Sequence, residues 1–403
     1  MFSARPLLRP TNRIVQIARA ALDTERFWLG VYLLVVGIAT GVCVAKECNN
    51  FLIFRAAYSH LLAGRDLYIA YTAEHVDLFK YSPTFALLFA PFAWLPFAWA
   101  LLAWNLINVL SLYYAIRLAV PEPNRLEAIQ LAGLGMITTV DGTQSNGIVA
   151  ALIVLAFAAL ERNRLAHGAA AIVLGVLIKI FPLAAAAFVL PRRDRLRFAT
   201  ISAVVAAAFV ALPLVVTSPG MLGAQYLSWY RLGSVDALDR GASVMRMLHV
   251  VAGYQGPNWP IQLAGAGLLI LPVVLRPGRW ADPEFRRAFL ASVLVFSVIF
   301  NHKAEQPSFV IAMVGMAIWH ATAPRSAVRN VVTGCTFVAT IPILMTVIAP
   351  GLIAQTVDRP LLIASACCTV AWFTMQGELL DLFPERGAED QAEFAAMSDE
   401  PAV

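Results

Sequence analysis

Charged residues are scarce in this sequence of 403 residues. Only 14% of the chain is Asp, Glu, Lys or Arg and 60% is hydrophobic, whereas a soluble domain carries about 25% charged residues. So few charges cannot cover the surface of a globule of this size, which excludes a soluble domain. The charges fall in short islands between apolar runs of about 15–22 residues, the length that crosses a bilayer as a helix. The sequence therefore predicts an all-α, multi-pass membrane protein.

The sequence also has few cysteines and no continuous basic face. The formal net charge is +5, but the basic residues flank apolar runs, which argues against a nucleic-acid partner. The cysteines are Cys43, Cys48, Cys335, Cys367 and Cys368. Their spacing matches neither a metal site nor a disulfide framework. We expect them to be small packing residues.

The basic residues between the apolar runs predict the orientation, because cytoplasmic connections carry an excess of Lys and Arg. The N-terminal segment is basic, and so are the connections that hold Arg117/Arg125, Arg162/Arg164, Arg192/Arg193/Arg195/Arg197, Arg276/Arg279/Arg286/Arg287 and Arg325/Arg329. Placing all of them in the cytoplasm gives about ten to twelve crossings with both termini inside. No small-residue cleavage site follows the first run, so we expect a retained helix in a bacterial inner membrane.

The apolar runs form one predicted membrane domain, residues 1–376, followed by an acidic tail, residues 377–403, that we expect to be disordered in the cytoplasm. The runs centre near 27–46, 97–119, 127–141, 147–161, 166–190, 197–216, 259–275, 288–300, 307–323, 328–348 and 360–376. Run 166–190 must go out and back, with a break at Phe181-Pro182. The proline-bounded residues 83–96 indicate a helix in the outer interface or an extension of the second span.

The unusual polar residues gather in the connections that this path places on the outer side. The first outer segment, 47–82, is too polar to span and mixes aromatic residues with charges of both signs. Its candidate substrate-binding residues are Asn50, Arg55, Tyr68, Lys80 and Tyr81. Cations on this face oppose the positive-inside trend, and an anionic ligand would explain them. A solvated loop is the simpler alternative.

Two further connections hold single polar features. Gln144 and Asn146 lie in a short polar turn, and their amides are able to hydrogen-bond sugar hydroxyls, although a tight turn alone would explain them. Lys179 interrupts an apolar stretch, where a lysine is costly unless it is paired or reaches the interface. We interpret it as a candidate phosphate ligand, with extension to the interface as the alternative.

A cluster of polar residues separates two strongly apolar runs at 301–306. His302, Lys303 and Glu305 occur together in this short turn. Lys303 suits phosphate as a point charge, and His302 or Glu305 suits acid or base chemistry. A hydrophilic turn between two membrane helices is the alternative.

Several motifs, taken in order, resemble glycosyltransferase family 87. They are Gly64-Arg65-Asp66-Leu67-Tyr68, Tyr81-Ser82-Pro83-Thr84-Phe85, Trp104-Asn105-Leu106-Ile107-Asn108, Gly142-Thr143-Gln144-Ser145-Asn146 and Lys179-Ile180-Phe181-Pro182. None is diagnostic alone, but their order and spacing are specific. The resemblance covers roughly residues 27–350.

The resemblance implies a GT-C type fold, with a layer of loops and interfacial helices on the outer face of the bundle. It implies a hexose donor carried on a polyprenyl phosphate, with mannose as the first expectation. The implied acceptor is a lipid-linked or cell-envelope glycan. No cofactor is implied beyond this co-substrate, and a divalent metal stays open. A carboxylate in the first outer loop is implied to be the catalytic base.

Asn50 stands where the family often has an aspartate, and an amide cannot act as a base. Glu47 is our first choice for that role, because the helix dipole disfavours a carboxylate at a helix C-terminus and its presence there calls for a reason. Asp66 and Glu305 follow. Two other functions stay open, a lipid or glycan flippase with discontinuous helices and a non-catalytic subunit for envelope assembly.

Overall fold

The computed structural model describes residues 15, 20–46, 48–324, 326–341 and 358–382. In this part of the chain all regular structure is helical. The α-helices are α1 Glu25–Lys46, α2 Asn49–Leu62, α3 Pro83–Leu88, α4 Ala90–Trp94, α5 Phe97–Ala119, α6 Glu122–Asp141, α7 Asn146–Glu161, α8 Leu165–Ile178, α9 Arg195–Ala211, α10 Pro219–Asp236, α11 Val244–Ala252, α12 Trp259–Leu275, α13 Pro283–Ile299, α14 Phe309–Thr322, α15 Ala327–Thr340 and α16 Asp358–Leu379. Short 3₁₀ segments cover Phe181–Val189, Leu212–Val215, Pro277–Ala281 and Gln306–Ser308.

Apolar length confirms the predicted membrane helix bundle. Four described helices are long and apolar enough to cross a bilayer: Glu25–Lys46, Phe97–Ala119, Arg195–Val215 and Arg359–Leu379. Shorter apolar helices are α7, α8 and α12. The predicted helix over 83–96 is two short helices, α3 and α4, joined at Phe89.

Local sequence fixes where several helices begin. The Ser82 hydroxyl accepts a hydrogen bond from the Phe85 N–H, and proline follows Ser82 at the first helical position. Ser218 caps α10 in the same way, again directly before a proline. A side-chain acceptor satisfies one free N–H of the first turn, and proline loses nothing at this position because its missing N–H would have no partner there.

The core of the bundle lies where α13 and α14 pack against each other and α14 packs against α6. A Cβ on Gly315 of α14 would lie 2.7 Å from the carbonyl oxygen of Ala291 in α13, so only glycine permits this close approach. Phe289, Phe309 and Trp319 are fully buried there. In a bilayer the alternative to burial is lipid and not water, so the close van der Waals packing of these side chains is what holds the helices together.

The basic connections meet at one end of the bundle, which we call the arginine end: residues 120–121, 162–164, 190–194, 276–282, 323–324 and 326. Arg117 and Arg125 both pair with Glu25 of α1. Arg286 pairs with Glu161 at 2.8 Å. The last helix, α16, ends at the arginine end too, where the Glu378 carboxylate forms an ion pair with Arg329 at 2.8 Å. Helix α16 continues to Leu379, two residues past Gly377, where the sequence predicted the tail to begin. Residues 383–403 lie outside the described part of the chain.

Run 166–190 goes out and back, as predicted. Helix α8 ends at Ile178, and the 3₁₀ segment returns from Phe181 toward the arginine end. There Arg192 donates to the carbonyl of Leu160 at 3.0 Å. A Cβ on Gly175 would lie 2.8 Å from Cβ of Pro182, so this glycine allows the two arms to pack closely.

The remaining connections meet at the opposite end, which we call the pocket end: residues 48–82, 142–145, 179–180, 216–258 and 300–308. Cys43 and Cys48 form a disulfide there, with Cα atoms 5.1 Å apart, within the usual range for disulfides. The interpretation of these two cysteines as packing residues was wrong. Cys43 lies in the last turn of α1 and Cys48 lies directly before α2, so the disulfide joins the end of one helix to the start of the next.

Candidate functional site

A cavity of about 690 Å³ opens at the pocket end and has one polar and one apolar part. Its polar lining is Asn50, Asp77, Lys80, Tyr81, Gln144, Lys179, Trp229, Gln262, Asn301, His302, Lys303 and Glu305. Its apolar lining includes Leu183, Ala184, Ala186, Ala187, Leu190, Ala266, Leu269, Ile270 and Phe296. The cavity therefore suits a ligand with a polar head and an apolar tail.

Eight of the residues predicted from sequence line this cavity. They are Asn50, Lys80, Tyr81, Gln144, Lys179, His302, Lys303 and Glu305. They come from four separate connections of the chain. Only the packing of the helices brings these connections together.

Lys179 occupies the break between α8 and the 3₁₀ segment. Its backbone N–H donates to Gly175, and its Nζ donates to Oδ1 of Asn146 at 2.7 Å. Burial lowers the pKa of Lys179 to about 8, although the nearby Glu305 carboxylate acts in the opposite direction. Asn146 does not line the cavity itself; it holds the lysine.

Two more lysines bring positive charge to the polar part. Lys80 pairs with Asp77 at 2.9 Å, and Lys303 pairs with Asp239. Burial alone would raise the pKa of Asp77, but the hydrogen bonds from Lys80 and the Leu78 N–H bring it below its usual value. Asp77 therefore stays ionised and is a weak base.

The turn 142–145 carries Gln144 into the cavity. Thr143 has a φ of 49°, and its carbonyl accepts from the indole of Trp104 at 3.0 Å. The Gln144 N–H donates to Thr139 at 3.0 Å. The Asn50 amide donates to the carbonyl of Gly142 at 2.8 Å. These bonds fix the turn against α5 and α2, which orients both amides at the cavity wall.

The 3₁₀ segment forms one apolar wall. A 3₁₀ helix has three residues per turn, so side chains three positions apart lie in one row. Phe181, Ala184, Ala187 and Leu190 are such a row, and all four line the cavity. The wall runs from Lys179 at the pocket end to Leu190 at the arginine end.

Several predicted residues lie elsewhere. Asp66 accepts from the Tyr68 N–H at 2.9 Å and from the Ser228 hydroxyl at 3.0 Å, and it is not among the cavity-lining residues. Arg55 donates to the carbonyls of Ala93 and Leu95.

Tyr68 is buried, and its hydroxyl donates to the carbonyl of Tyr81 at 2.8 Å. Asp66, Arg55 and Tyr68 thus have contacts that hold the first loop together. Glu47, the first choice for the base, lies outside the described residues.

Sequence reasoning missed Gln262, Asn301 and Trp229, which also line the cavity. Gln262 did carry a signal, because it is a polar residue inside the apolar run of α12. Trp229 lies on α10, and only the packing of that helix brings its side chain to the cavity. Among the described residues no group of three His, Cys, Asp or Glu side chains is placed to hold a metal ion.

One comparison with known proteins assigns the family. The sequence model of glycosyltransferase family 87 matches residues 79–301. This range is more than half of the chain, and it contains Lys80, Gln144, Lys179 and Trp229 of the cavity. No curated protein matches the chain. The chain belongs to glycosyltransferase family 87 and is a membrane glycosyltransferase.

Proposed function

We propose that this protein transfers a hexose from a polyprenyl-phosphate-linked donor to a hydroxyl of a lipid-linked or cell-envelope glycan. The observation that carries the proposal is the two-part cavity, in which three lysines lie beside an apolar wall. A lipid-linked phosphate sugar has the same division between an anionic head and an apolar chain. Mannose is the first sugar to test.

In this proposal Lys179, with Lys80 and Lys303, contacts the donor phosphate. Lysine binds phosphate as a point charge, and a positive group near the leaving oxygen stabilises the charge that develops in the transition state. His302 and the amides of Gln144 and Asn50 provide further polar contacts around the head group. The proposed step includes no cofactor, since the leaving phosphate is already ionised.

Glu305 is the proposed base. It lines the cavity and lies near Lys179 and Tyr81. Asp77 is the poorer candidate, because its ion pair with Lys80 helps to lower its pKa and so makes it a weaker base. The acceptor hydroxyl oxygen attacks the anomeric carbon and gives its proton to Glu305. The bond from that carbon to the phosphate oxygen breaks, and polyprenyl phosphate leaves with the electron pair. A new glycosidic bond results.

Two features support placing this chemistry on the outer side of a bacterial inner membrane. The arginine end carries the basic connections expected in the cytoplasm. The pocket end carries the Cys43–Cys48 disulfide, and disulfides persist in oxidising compartments. Both termini would then be cytoplasmic.

One observation favours a second candidate, a lipid flippase. Leu190, the last residue of the apolar wall, also lines a second cavity of about 590 Å³ at the arginine end, together with Arg193 and Trp280. An apolar path between two cavities suits a lipid that crosses the membrane. A flippase would move the donor lipid without breaking its sugar–phosphate bond.

Reconstitution separates the two. Purified protein in liposomes receives polyprenyl-phosphate-[¹⁴C]mannose and a bacterial envelope glycolipid extract. We expect label in the glycolipid, a loss of about 10²–10⁴-fold in Glu305→Gln as for removal of a general base, and a smaller loss in Asp77→Asn. Label that only changes leaflet would indicate the flippase. A fully active Glu305→Gln variant would exclude Glu305 as the base.

A further inference from the structure

A tryptophan and a glycine on one face of α10 leave an open space in the wall of the cavity. Trp229 and Gly233 both line the cavity and are four residues apart, so they are neighbours on the helix surface. A Cβ placed on Gly233 would find no atom within 4 Å. The glycine therefore leaves room beside the indole that no other described side chain fills.

The indole of Trp229 is held in place. Its Nε1 donates to the carbonyl of Lys80 at 3.1 Å, and its ring lies near that of Tyr226, with centroids 6.2 Å apart. The side chain is half-buried, with part of its surface at the cavity. A fixed aromatic ring offers a flat apolar surface at little entropic cost.

Hydrogen-bonding groups lie beside this ring. Lys80, whose carbonyl holds the indole, donates from Nζ to Asp77 at 2.9 Å. Each carboxylate oxygen of Asp77 accepts one described hydrogen bond, from Lys80 or from the Leu78 N–H. A carboxylate oxygen can accept two hydrogen bonds, so Asp77 retains the capacity to accept from a hydroxyl.

We propose that Trp229 and Gly233, with Asp77 and Lys80 at the rim, form a binding site for a hexopyranose ring. A pyranose has an apolar C–H face, which packs on the indole in the space above Gly233. Its hydroxyls form hydrogen bonds with Asp77 and Lys80. The inference rests on the proposed function and adds the place where a sugar is held. The ring belongs either to the donor or to the terminal residue of the acceptor.

Gly233→Leu tests the site without disturbing the fold, because the added side chain enters empty space and leucine favours a helix over glycine. Gly223→Leu is the matched control. It lies on the same helix, also has no atom within 4 Å of an added Cβ, and is not among the cavity-lining residues. Trp229→Leu removes the ring, and Trp229→Phe retains a smaller one.

The measurement is saturation-transfer difference NMR on the full chain in nanodiscs. The probes are the methyl α-pyranosides of mannose, glucose and galactose. We expect transfer to the ring protons of at least one sugar, at least about tenfold weaker in Gly233→Leu and Trp229→Leu, partly retained in Trp229→Phe and unchanged in Gly223→Leu. Equal signals from Gly233→Leu and the unmodified protein, or no signal from the unmodified protein, would overturn the site.

A competition arm identifies the source of the ring. Saturating polyprenyl-phosphate mannose displaces the methyl glycoside if the donor sugar occupies the site, and leaves it bound if the acceptor sugar does; either result supports the site. The test is separate from that of the proposed function. If the protein binds these sugars but transfers none, the proposed sugar site stands and the proposed reaction is wrong. If the protein transfers sugar but the Gly233→Leu variant binds the methyl glycosides as well as the unmodified protein does, the proposed reaction stands and the proposed sugar site is wrong.

Discussion

The side-chain nitrogen of Gln262 lies 3.2 Å from Nδ1 of His302 and 3.1 Å from the carbonyl oxygen of Phe300. A carbonyl oxygen only accepts, so it is the amide nitrogen of Gln262 that faces both groups. An amide nitrogen only donates, so Nδ1 of His302 must accept. The proton of the neutral imidazole therefore resides on Nε2.

The first prediction follows from this pair. Gln262→Glu replaces the donor by an acceptor, which requires a proton on Nδ1 of His302 and places a carboxylate near the Phe300 carbonyl. We expect the tautomer of His302 to change and sugar transfer to fall about tenfold, the effect of about one hydrogen bond. Nitrogen-15 spectra of histidine-labelled protein report the tautomer, with His302→Asn assigning the signal. An unchanged His302 signal in Gln262→Glu would contradict the assignment.

The second prediction concerns pH and Lys179. Its pKa is lowered to about 8, so the free protein loses the ammonium as pH rises through that value. We expect kcat/KM for polyprenyl-phosphate mannose to decline above about pH 8. Lys179→Ala should lose most donor use at every pH, and Lys179→Arg should retain part of it. The arginine variant is the control, because its guanidinium stays charged through the whole range of the measurement and its profile should lack the decline near pH 8. The same decline in the arginine variant would assign it to another group.

The third prediction concerns Asn50. Its amide donates to Gly142 at 2.8 Å, and an ionised aspartate cannot donate. We expect Asn50→Asp to lower the free energy of unfolding by about 1–3 kcal/mol at pH 7, because two acceptors, the carboxylate and the Gly142 carbonyl, would then face each other without a proton between them. A protonated aspartic acid can donate, so the folded-state pKa is raised. The decrease in the free energy of unfolding should be small at low pH and grow as pH rises above about 3.9, the pKa of a free aspartate.

Asn49→Asp is the matched control for this change. The Asn49 side-chain oxygen accepts from the Val76 N–H at 2.9 Å, and a carboxylate retains that acceptor. Thermal unfolding of both variants between pH 4 and 8 measures the difference in stability. Equal melting temperatures for the two variants would show that the Asn50–Gly142 bond does not stabilise the fold.

The fourth prediction concerns orientation. Single cysteines at positions 162 and 303 are introduced after the three free cysteines are changed to alanine. An impermeant maleimide should label position 303 but not position 162 in intact cells, and both after permeabilisation. If only position 162 were labelled in intact cells, the assigned orientation would be wrong and the cavity would lie on the cytoplasmic side.

The helices could be predicted from sequence because apolar length and basic flanks are local properties. The break at Lys179 and the return of the 3₁₀ segment followed from a lysine and a proline in an apolar run. The disulfide did not follow, because a separation of five residues does not by itself indicate a pair, and only the geometry where α1 ends and α2 begins brings Cys43 to Cys48. Trp229 was missed for a similar reason, because its place depends on the packing of α10 against the loop that holds Lys80.

The row of side chains along the 3₁₀ segment constrains how this region can vary between homologues. Each residue turns such a helix by about 120°, from three residues per turn. One inserted or deleted residue near Phe181 would rotate Ala184, Ala187 and Leu190 away from the cavity together and present a different row. A substitution of one of these residues changes the width of the cavity only beside that residue. We expect related sequences to differ in side-chain size along this segment and to keep its number of residues constant.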